Sequence, residues 1–336
     1  MKVLTFGEML LRLSSDPTVK LPQTNQLFFY YGGAEANVAV SLAHLGIPTE
    51  YLTKVPDNNI GEGCKQYLLA NQVSINHLLF GGARLGLYFV ESGIANRASN
   101  VTYDRKYSSF SKVKVEEFNW DTILADVDLF HTTGITLALS QELRDITLHA
   151  MQAAKEKGIK VSFDFNYRAK LWSQIEAKNA FEQVLDYVDI AFCNHMDAIY
   201  LLGITQAEAG WEEEQQLNYY YQNIQKKYPS IRYLASTTRK VISSSKHLLQ
   251  GNLFANGRLY RSSEYAIEPV VDRIGGGDAY AAGIIFSYLN QWQENKMVSF
   301  AIANAVLKHS IKGDGNVFKA EEVAQFMETV NQEISR

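Results

Sequence analysis

Short apolar runs of strand length alternate with longer segments of helical spacing along most of this chain. No other feature limits its fold as much. Val3-Leu4-Thr5-Phe6 is strand-like, and the stretch from Ala34 to Leu45 (AEANVAVSLAHL) has helical spacing that ends at Gly46. A strand-like TEYLTKV leads to a second helix around Gly63 to Asn71. Asp128-Leu129-Phe130-His131 runs through Gly134 to a long helix over Gln141–Lys157, with Ser140 as its N-cap and Gly158 at its end. KVSFD, DIAFCN and IRYLAST repeat the pattern, and the last third reads as mostly helical. Strands separated by helices line up in parallel, so the expectation is an α/β protein with a mainly parallel sheet covered by helices on both faces.

Two regions break the alternation. Leu27 to Tyr31 (LFFYY) and Leu85 to Arg105 (LGLYFVESGIANRASNVTYDR) look like short strands without a helix between them. They are expected to be antiparallel hairpins that project from the main sheet as a small lid. Without an internal repeat, low-complexity segment or long linker, residues 1–336 read as a single domain. The lid is then formed by insertions at about 10–31 and 84–108.

A hydrophobic fraction of 46% is ample for a buried core. Net charge −4 and a pI near 6.0 give no general attraction to nucleic acid or to an anionic membrane, so a small-molecule partner is expected. Cys64 and Cys193 fit neither a disulfide framework nor a zinc site and read as free thiols in a reducing cytoplasm. MKVLTFGEMLLRL places Gly7 and Glu8 inside what would be a signal-peptide core, so it reads as a first strand instead. The apolar run from Ala279 to Leu289 is too short to span a bilayer. A soluble cytoplasmic protein is expected.

The stretch DRIGGGDAYAAG, from Asp272 to Gly283, carries the chemistry. If a helix begins near Asp278, its first turn offers unpartnered N–H groups and the positive end of its dipole. Glycines 275 to 277 let a phosphate reach that backbone without a side-chain clash. The Asp278 carboxylate would stand beside it, placed to take a proton from an attacking hydroxyl. The alternative is an ordinary turn with Asp278 as a capping residue, and the stretch alone leaves both open. The chain has no Gly-Lys dipeptide, hence no P-loop, and no GxGxxG follows its first strand. HExxH and GxSxG are also absent.

GGGDAYAAG resembles the GAGD signature of the ribokinase-like (pfkB) carbohydrate kinases, and Gly32 to Ala39 (GGAEANVA) resembles that family's GG-xx-N-A segment. The resemblance runs from Val3 to about Asn316. It implies a Rossmann-like α/β core with a β-sheet lid and ATP-dependent phosphorylation of a hydroxyl on a sugar-like molecule. ATP and Mg²⁺ are the implied cofactors, with a monovalent cation as a further candidate. Asp278 would be the base, and Gly275, Gly276 and Gly277 the backbone anion hole.

FDFNYR followed by Leu171-Trp172 is similar to the FDxNYRxxLW element of 2-keto-3-deoxygluconate kinases within that family. HTTGIT with Ala138-Leu139-Ser140, the tail KHSI with Gly313-Asp314, and GEMLLRLSS resemble the same group. Fructokinases usually carry an aspartate where Arg12 stands. The resemblance implies that Arg168 and Arg105 meet a substrate carboxylate, which an arginine fork can hold by two charge-assisted hydrogen bonds. It also implies substrate contacts from Tyr88, Tyr103 and Asp314, with Gly33 and Asn37 as the floor. On the nucleotide side, Asn194-His195-Met196-Asp197 is similar to an Asn-x-x-Glu element that helps place Mg²⁺, with Asp197 in place of the longer glutamate. Asn166, Thr237, Arg239 and Asn304 are the other nucleotide-side candidates. Relatives pair through the lid, and Phe28, Phe29 and Tyr30 would suit a homodimer. The expected reaction is phosphorylation of the 6-hydroxyl of 2-keto-3-deoxygluconate. A fructokinase or ribokinase-type sugar kinase and a non-catalytic sugar-acid sensor are the rivals.

Overall fold

The computed structural model describes residues 1–94 and 96–329. From the N-terminus run β1 (Val3–Phe6), β2 (Leu10–Ser14), β3 (Phe28–Gly32), α1 (Ala34–His44), β4 (Thr49–Leu52), β5 (Lys54–Val55), α2 (Asn59–Ala70), β6 (Leu79–Phe80), β7 (Gly86–Glu91) and β8 (Asn100–Asp104). The middle of the chain supplies α3 (Trp120–Ile123), β9 (Leu129–Thr133), α4 (Gly134–Leu139), α5 (Gln141–Glu156), β10 (Lys160–Asp164), α6 (Gln174–Val184), β11 (Ile190–Phe192), α7 (His195–Tyr200) and α8 (Glu213–Lys227). The last third holds β12 (Tyr233–Ser243), β13 (Lys246–Ala255), β14 (Arg258–Arg261), β15 (Tyr265–Ile267), α9 (Gly276–Leu289), α10 (Glu294–Lys308) and α11 (Ala320–Thr329).

The main sheet has the order β14-β13-β12-β11-β10-β9-β1-β4, and β15 also pairs with β13. All pairs from β4 to β12 are parallel. Successive strand residues point to opposite faces, and neighbours in the sequence accordingly enter different cores. Val3, Leu129, Ile190 and Leu253 pack with α1, α9 and α10 on one face. Leu4, Phe130, Ala191 and Phe254 pack with α5, α6 and α8 on the other. Burial on both faces is why these strands read as continuous apolar runs.

Three features depart from the sequence reading. The N-terminal stretch is two strands: β1 lies in the main sheet, and the chain leaves it at Gly7 so that β2 joins the small sheet. That small sheet, ordered β3-β2-β7-β8, contains the expected antiparallel pairs but is joined through the parallel pair β2–β7. Residues 246–267 are not helical. They form an antiparallel edge whose β13–β14 turn is Asn256-Gly257, both with positive φ (53° and 74°). Asn-Gly between alternating residues is a strong hairpin signal, and α9 begins only at Gly276.

Where helix chemistry is local, the reading transfers directly. Ser140 caps α5, its side chain accepting from Leu143 N at 3.1 Å. Ser140→Ala should lower the free energy of unfolding by about 1 kcal/mol, measured by urea denaturation, with no change in the cleft described next.

Candidate active site

Two helices start at one point. α1 is entered through Gly33, where an added Cβ would stand 2.3 Å from the Glu8 carbonyl. α9 is entered through Gly275, at φ 82°, where a Cβ would stand 2.0 Å from the Asp314 carbonyl. A side chain at either position would push the chain apart. The three glycines of the run then divide their work. Gly276 is buried against the His309 ring, whereas Gly277 has nothing within 4 Å of the position a Cβ would take. The open backbone of the glycine run is therefore at Gly277.

Asn37 in α1 donates to Asp278 Oδ2 at 2.7 Å, joining the two helix starts. Glu35, in the first turn of α1, accepts from the Thr133 backbone and hydroxyl and from the Thr136 hydroxyl, which fixes that turn against β9 and α4. Burial pushes the Asp278 carboxyl up to about 7, against the pull of the Asn37 hydrogen bond and the Arg168 charge; Glu35 and Asp314 add to the rise. Such a group can exchange a proton near neutral pH.

Gly277 stands where two cavities meet, and Asp278 lines one of them. One, of about 370 Å³, contains Gly33, Asn37, Tyr88, Tyr103, Arg105, Arg168, Gly275, Gly277, Asp278 and Asp314. The other, of about 390 Å³, contains Asn194, Asp197, Thr237 and Gly277. Asp164, Asn166 and Arg168 line both. Arg239 lines the first and also an outer cavity with Asn194 and Thr237. Almost every residue singled out in the sequence thus falls along one cleft at the C-terminal ends of the parallel strands, the usual ligand crevice of such sheets.

The two arginines expected to meet a carboxylate differ. Arg168 is exposed to the cleft, and its one side-chain hydrogen bond among the described residues is to the Tyr167 carbonyl, so its fork is open to an anion. Arg105 is buried and already paired with Glu8, its Nε 2.8 Å from Glu8 Oε2. Asp314 is likewise engaged: it is 2.8 Å from Arg12 and accepts from the Tyr88 hydroxyl, while burial pushes its carboxyl up to about 6. Arg12 also reaches Asp272 at 2.5 Å and lies over the Tyr30 ring. These contacts tie the small sheet to the loop before the glycine run. Tyr88 and Tyr103 stack, with centroids 5.9 Å apart.

On the other side, Asn194 caps α7 by accepting from Met196 N and Asp197 N, and Asp197 Oδ2 accepts from Asn194 N at 2.8 Å. The shorter acid closes this capping box, with its carboxyl pushed up to about 6 by burial. Asn304 does not reach the cleft. It is fully buried and donates to the Ala279 carbonyl at 2.7 Å and to the Ser41 hydroxyl at 3.2 Å.

Asp164, at the end of β10, was not singled out in the sequence, although the strand-end aspartate of FDFNYR was a usable signal. It accepts from Asn166 N at 3.0 Å, and Asn166 holds a left-handed φ of 40°. Burial, then the charge of Asp278, pushes its carboxyl up to about 8, with Arg168 opposing and Asp197 adding. Among the described residues no group of three or more His, Cys, Asp or Glu forms a ready metal cage. Asp164 and Asp197 instead offer separate hard oxygen donors, which suits an ion that keeps most of its water.

The profile of the pfkB family of carbohydrate kinases matches residues 1–320. The chain belongs to this family. A kinase acting on an alcohol group of a carbohydrate is the activity its fold and cleft are built for. The chain is 29% identical over 326 residues to a 2-dehydro-3-deoxygalactonokinase of Haloferax volcanii, covering 97% of this chain and 96% of that one. Identity to a 2-dehydro-3-deoxygluconokinase of Thermoproteus tenax is 25%, covering 96% and 93%. Among solved structures, the 2-dehydro-3-deoxygluconokinase of Thermotoga maritima superposes with a TM-score of 0.94 at 37% identity, covering 98% of this chain and 99% of that one. No helix among the described residues is long and apolar enough to cross a membrane.

The raised carboxyls have a testable cost. A folded-state pKa above the unfolded value means that the native protein holds the proton more tightly, so stability falls as pH rises from about 4 toward 8. Asp164→Asn removes one such group. It should raise the thermal midpoint of the ligand-free protein at pH 8 and leave it nearly unchanged at pH 4.5, as read by calorimetry at both values.

Proposed function

We propose that this kinase transfers the γ-phosphoryl group of ATP to the 6-hydroxyl of 2-keto-3-deoxygluconate. The observation that carries the reading is the open Arg168 fork facing the same cavity as Asp278 and the Gly277 backbone. The relatives named for this acid and for its galacto counterpart support it. The bond from the substrate oxygen to the γ-phosphorus forms as the bond to the β,γ-bridging oxygen breaks. The hydroxyl proton passes to Asp278, and ADP leaves with the electron pair. Backbone N–H groups at the start of α9 meet the charge on the transferring group. Arg168 orients the substrate carboxylate. Arg105 acts through its pair with Glu8, shaping the wall beside it. Mg²⁺, held through water by Asp164 and Asp197, would offset the charge of the phosphates. The small sheet, carrying Tyr88 and Tyr103, serves as the lid that keeps water from the phosphoryl group.

Arg168→Ala should weaken binding of the sugar acid by roughly 1.5–3 kcal/mol and affect any turnover of fructose or ribose less. Asp278→Asn should remove turnover with all of them. Both follow from coupled ADP-release assays with ketodeoxygluconate, its galacto epimer, fructose and ribose side by side, in potassium and in tetramethylammonium buffers to test for a monovalent activator. Equal loss on acid and neutral sugars in Arg168→Ala would reject the carboxylate role.

A second copy of the chain is proposed to cover β3, an edge strand of the small sheet on which Phe28 and Phe29 are 44% and 61% exposed. Sedimentation should show a dimer that Phe29→Asp converts to monomer. A monomeric parent protein would reject this pairing.

A further inference from the structure

Two guanidinium groups beside the glycine run have no anionic partner among the described residues. Arg239 projects from β12, and Arg273 from the loop that leads into α9. Neither makes an ion pair or a side-chain hydrogen bond among the described residues. Both line the cavity that holds Gly275, Gly277 and Asp278. Both also line a further cavity of about 270 Å³ whose other walls include Gly276, Gly277 and His309. No carboxylate lines that second cavity. His309 adds no charge there: burial holds its pKa down at about 4, and its Nδ1 is 2.6 Å from the Ala305 carbonyl.

Two like charges therefore face one space at the positive end of a helix. Each raises the cost of the other, and partial desolvation together with the Arg273 charge holds the Arg239 pKa below its ordinary value. Exposed to the cleft and without a carboxylate, the two forks keep their donors free for the oxygens of an anion. The anion must offer several charged oxygens within reach of the Gly277 backbone. Arg168 lines no part of the cavity that holds Gly276, and the arginine pair lines no part of the cavity that holds Asp197. All three arginines line the cavity that holds Asp278, and of the three only Arg239 and Arg273 also line the cavity that holds Gly276.

We propose that Arg273, together with Arg239, clamps the non-bridging oxygens of the phosphoryl group in transfer. This rests on the kinase reading above and adds Arg273 to it. The clamp makes and breaks no bond. It stabilises the charge on the γ-phosphoryl group while its phosphorus passes from the bridging oxygen of ADP to the substrate hydroxyl oxygen, whose proton goes to Asp278.

The test uses the full-length protein with Arg273→Gln, Arg273→Lys and Arg239→Gln. Mg²⁺ with ADP, and Mg²⁺ with the non-hydrolysable imido analogue of ATP, are titrated by calorimetry without any sugar. Arg273→Gln should bind the triphosphate analogue at least tenfold more weakly while ADP affinity stays the same and the thermal midpoint does not fall. Lysine should restore part of the loss. In steady-state assays the same change should lower kcat by roughly 10²-fold or more with the sugar-acid KM unchanged. Equal binding of the triphosphate by Arg273→Gln and the parent protein would overturn the clamp. So would a raised sugar-acid KM with kcat intact, which would assign Arg273 to the substrate carboxylate. A parent protein that discriminates ADP from the triphosphate through Arg273 yet phosphorylates no sugar acid would reject the substrate reading and leave the clamp standing.

Discussion

The hydrogen bond from Asn37 to Asp278 joins the first turns of two helices that start at one place on the same edge of the sheet. A parallel sheet delivers every helix start on that side, because each strand ends there before its crossover begins. Here α1 and α9 are both entered through glycines pressed against backbone carbonyls, of Glu8 and of Asp314, more closely than any side chain would allow. Their dipoles add at the point where Asp278 stands. The arrangement concentrates donors for an anion and places one acid among them.

That concentration has a cost in the free protein. Asp164, Asp278 and Asp197 are all pushed upward by burial, and Arg239 faces Arg273 without a counter-ion. The sites that hold charge most awkwardly are those that line the cleft, as expected where function and not stability selects the residue. Other charges at the edge of the cleft are matched. Arg12 is closed in by Asp272, Asp314 and Tyr30, and Arg105 by Glu8. Both arginines belong to the small sheet or its edge, so its attachment is electrostatic on one side and apolar on the other, where Leu11 and Leu85 join Ala36, Ala39 and Leu68. The fully buried Lys308 lies against this network, donating to the Ile311 carbonyl and facing Asp272 and Asp314.

The parts of this design that depend on local chemistry could be read from the sequence. The helix from Ala34, the Ser140 cap and the glycine run are each decided within a few residues, and the structure places them as expected. The departures arise where a distant partner decides. The break after Phe6 follows from β2 pairing with β7 and from Glu8 meeting Arg105, contacts that no window of the N-terminal stretch contains. Asn304 looked available on its helix, but Ala279 and Ser41 take up its amide. The β13–β14 hairpin is a different case, since Asn256-Gly257 was a local signal that the helical character of the following residues obscured. Asp164 and Arg273 are less conspicuous in the sequence, since each lies close to a stronger signal, Arg168 and the glycine run respectively.

A crystal structure with a non-hydrolysable ATP analogue, Mg²⁺ and the sugar acid bound together tests the central claim most directly. The terminal hydroxyl should lie within hydrogen-bond reach of an Asp278 carboxylate oxygen, about 2.6–3.2 Å, with the γ-phosphoryl group on the Gly277 backbone. A hydroxyl well outside that reach, with the γ-phosphoryl group away from the start of α9, would contradict the account.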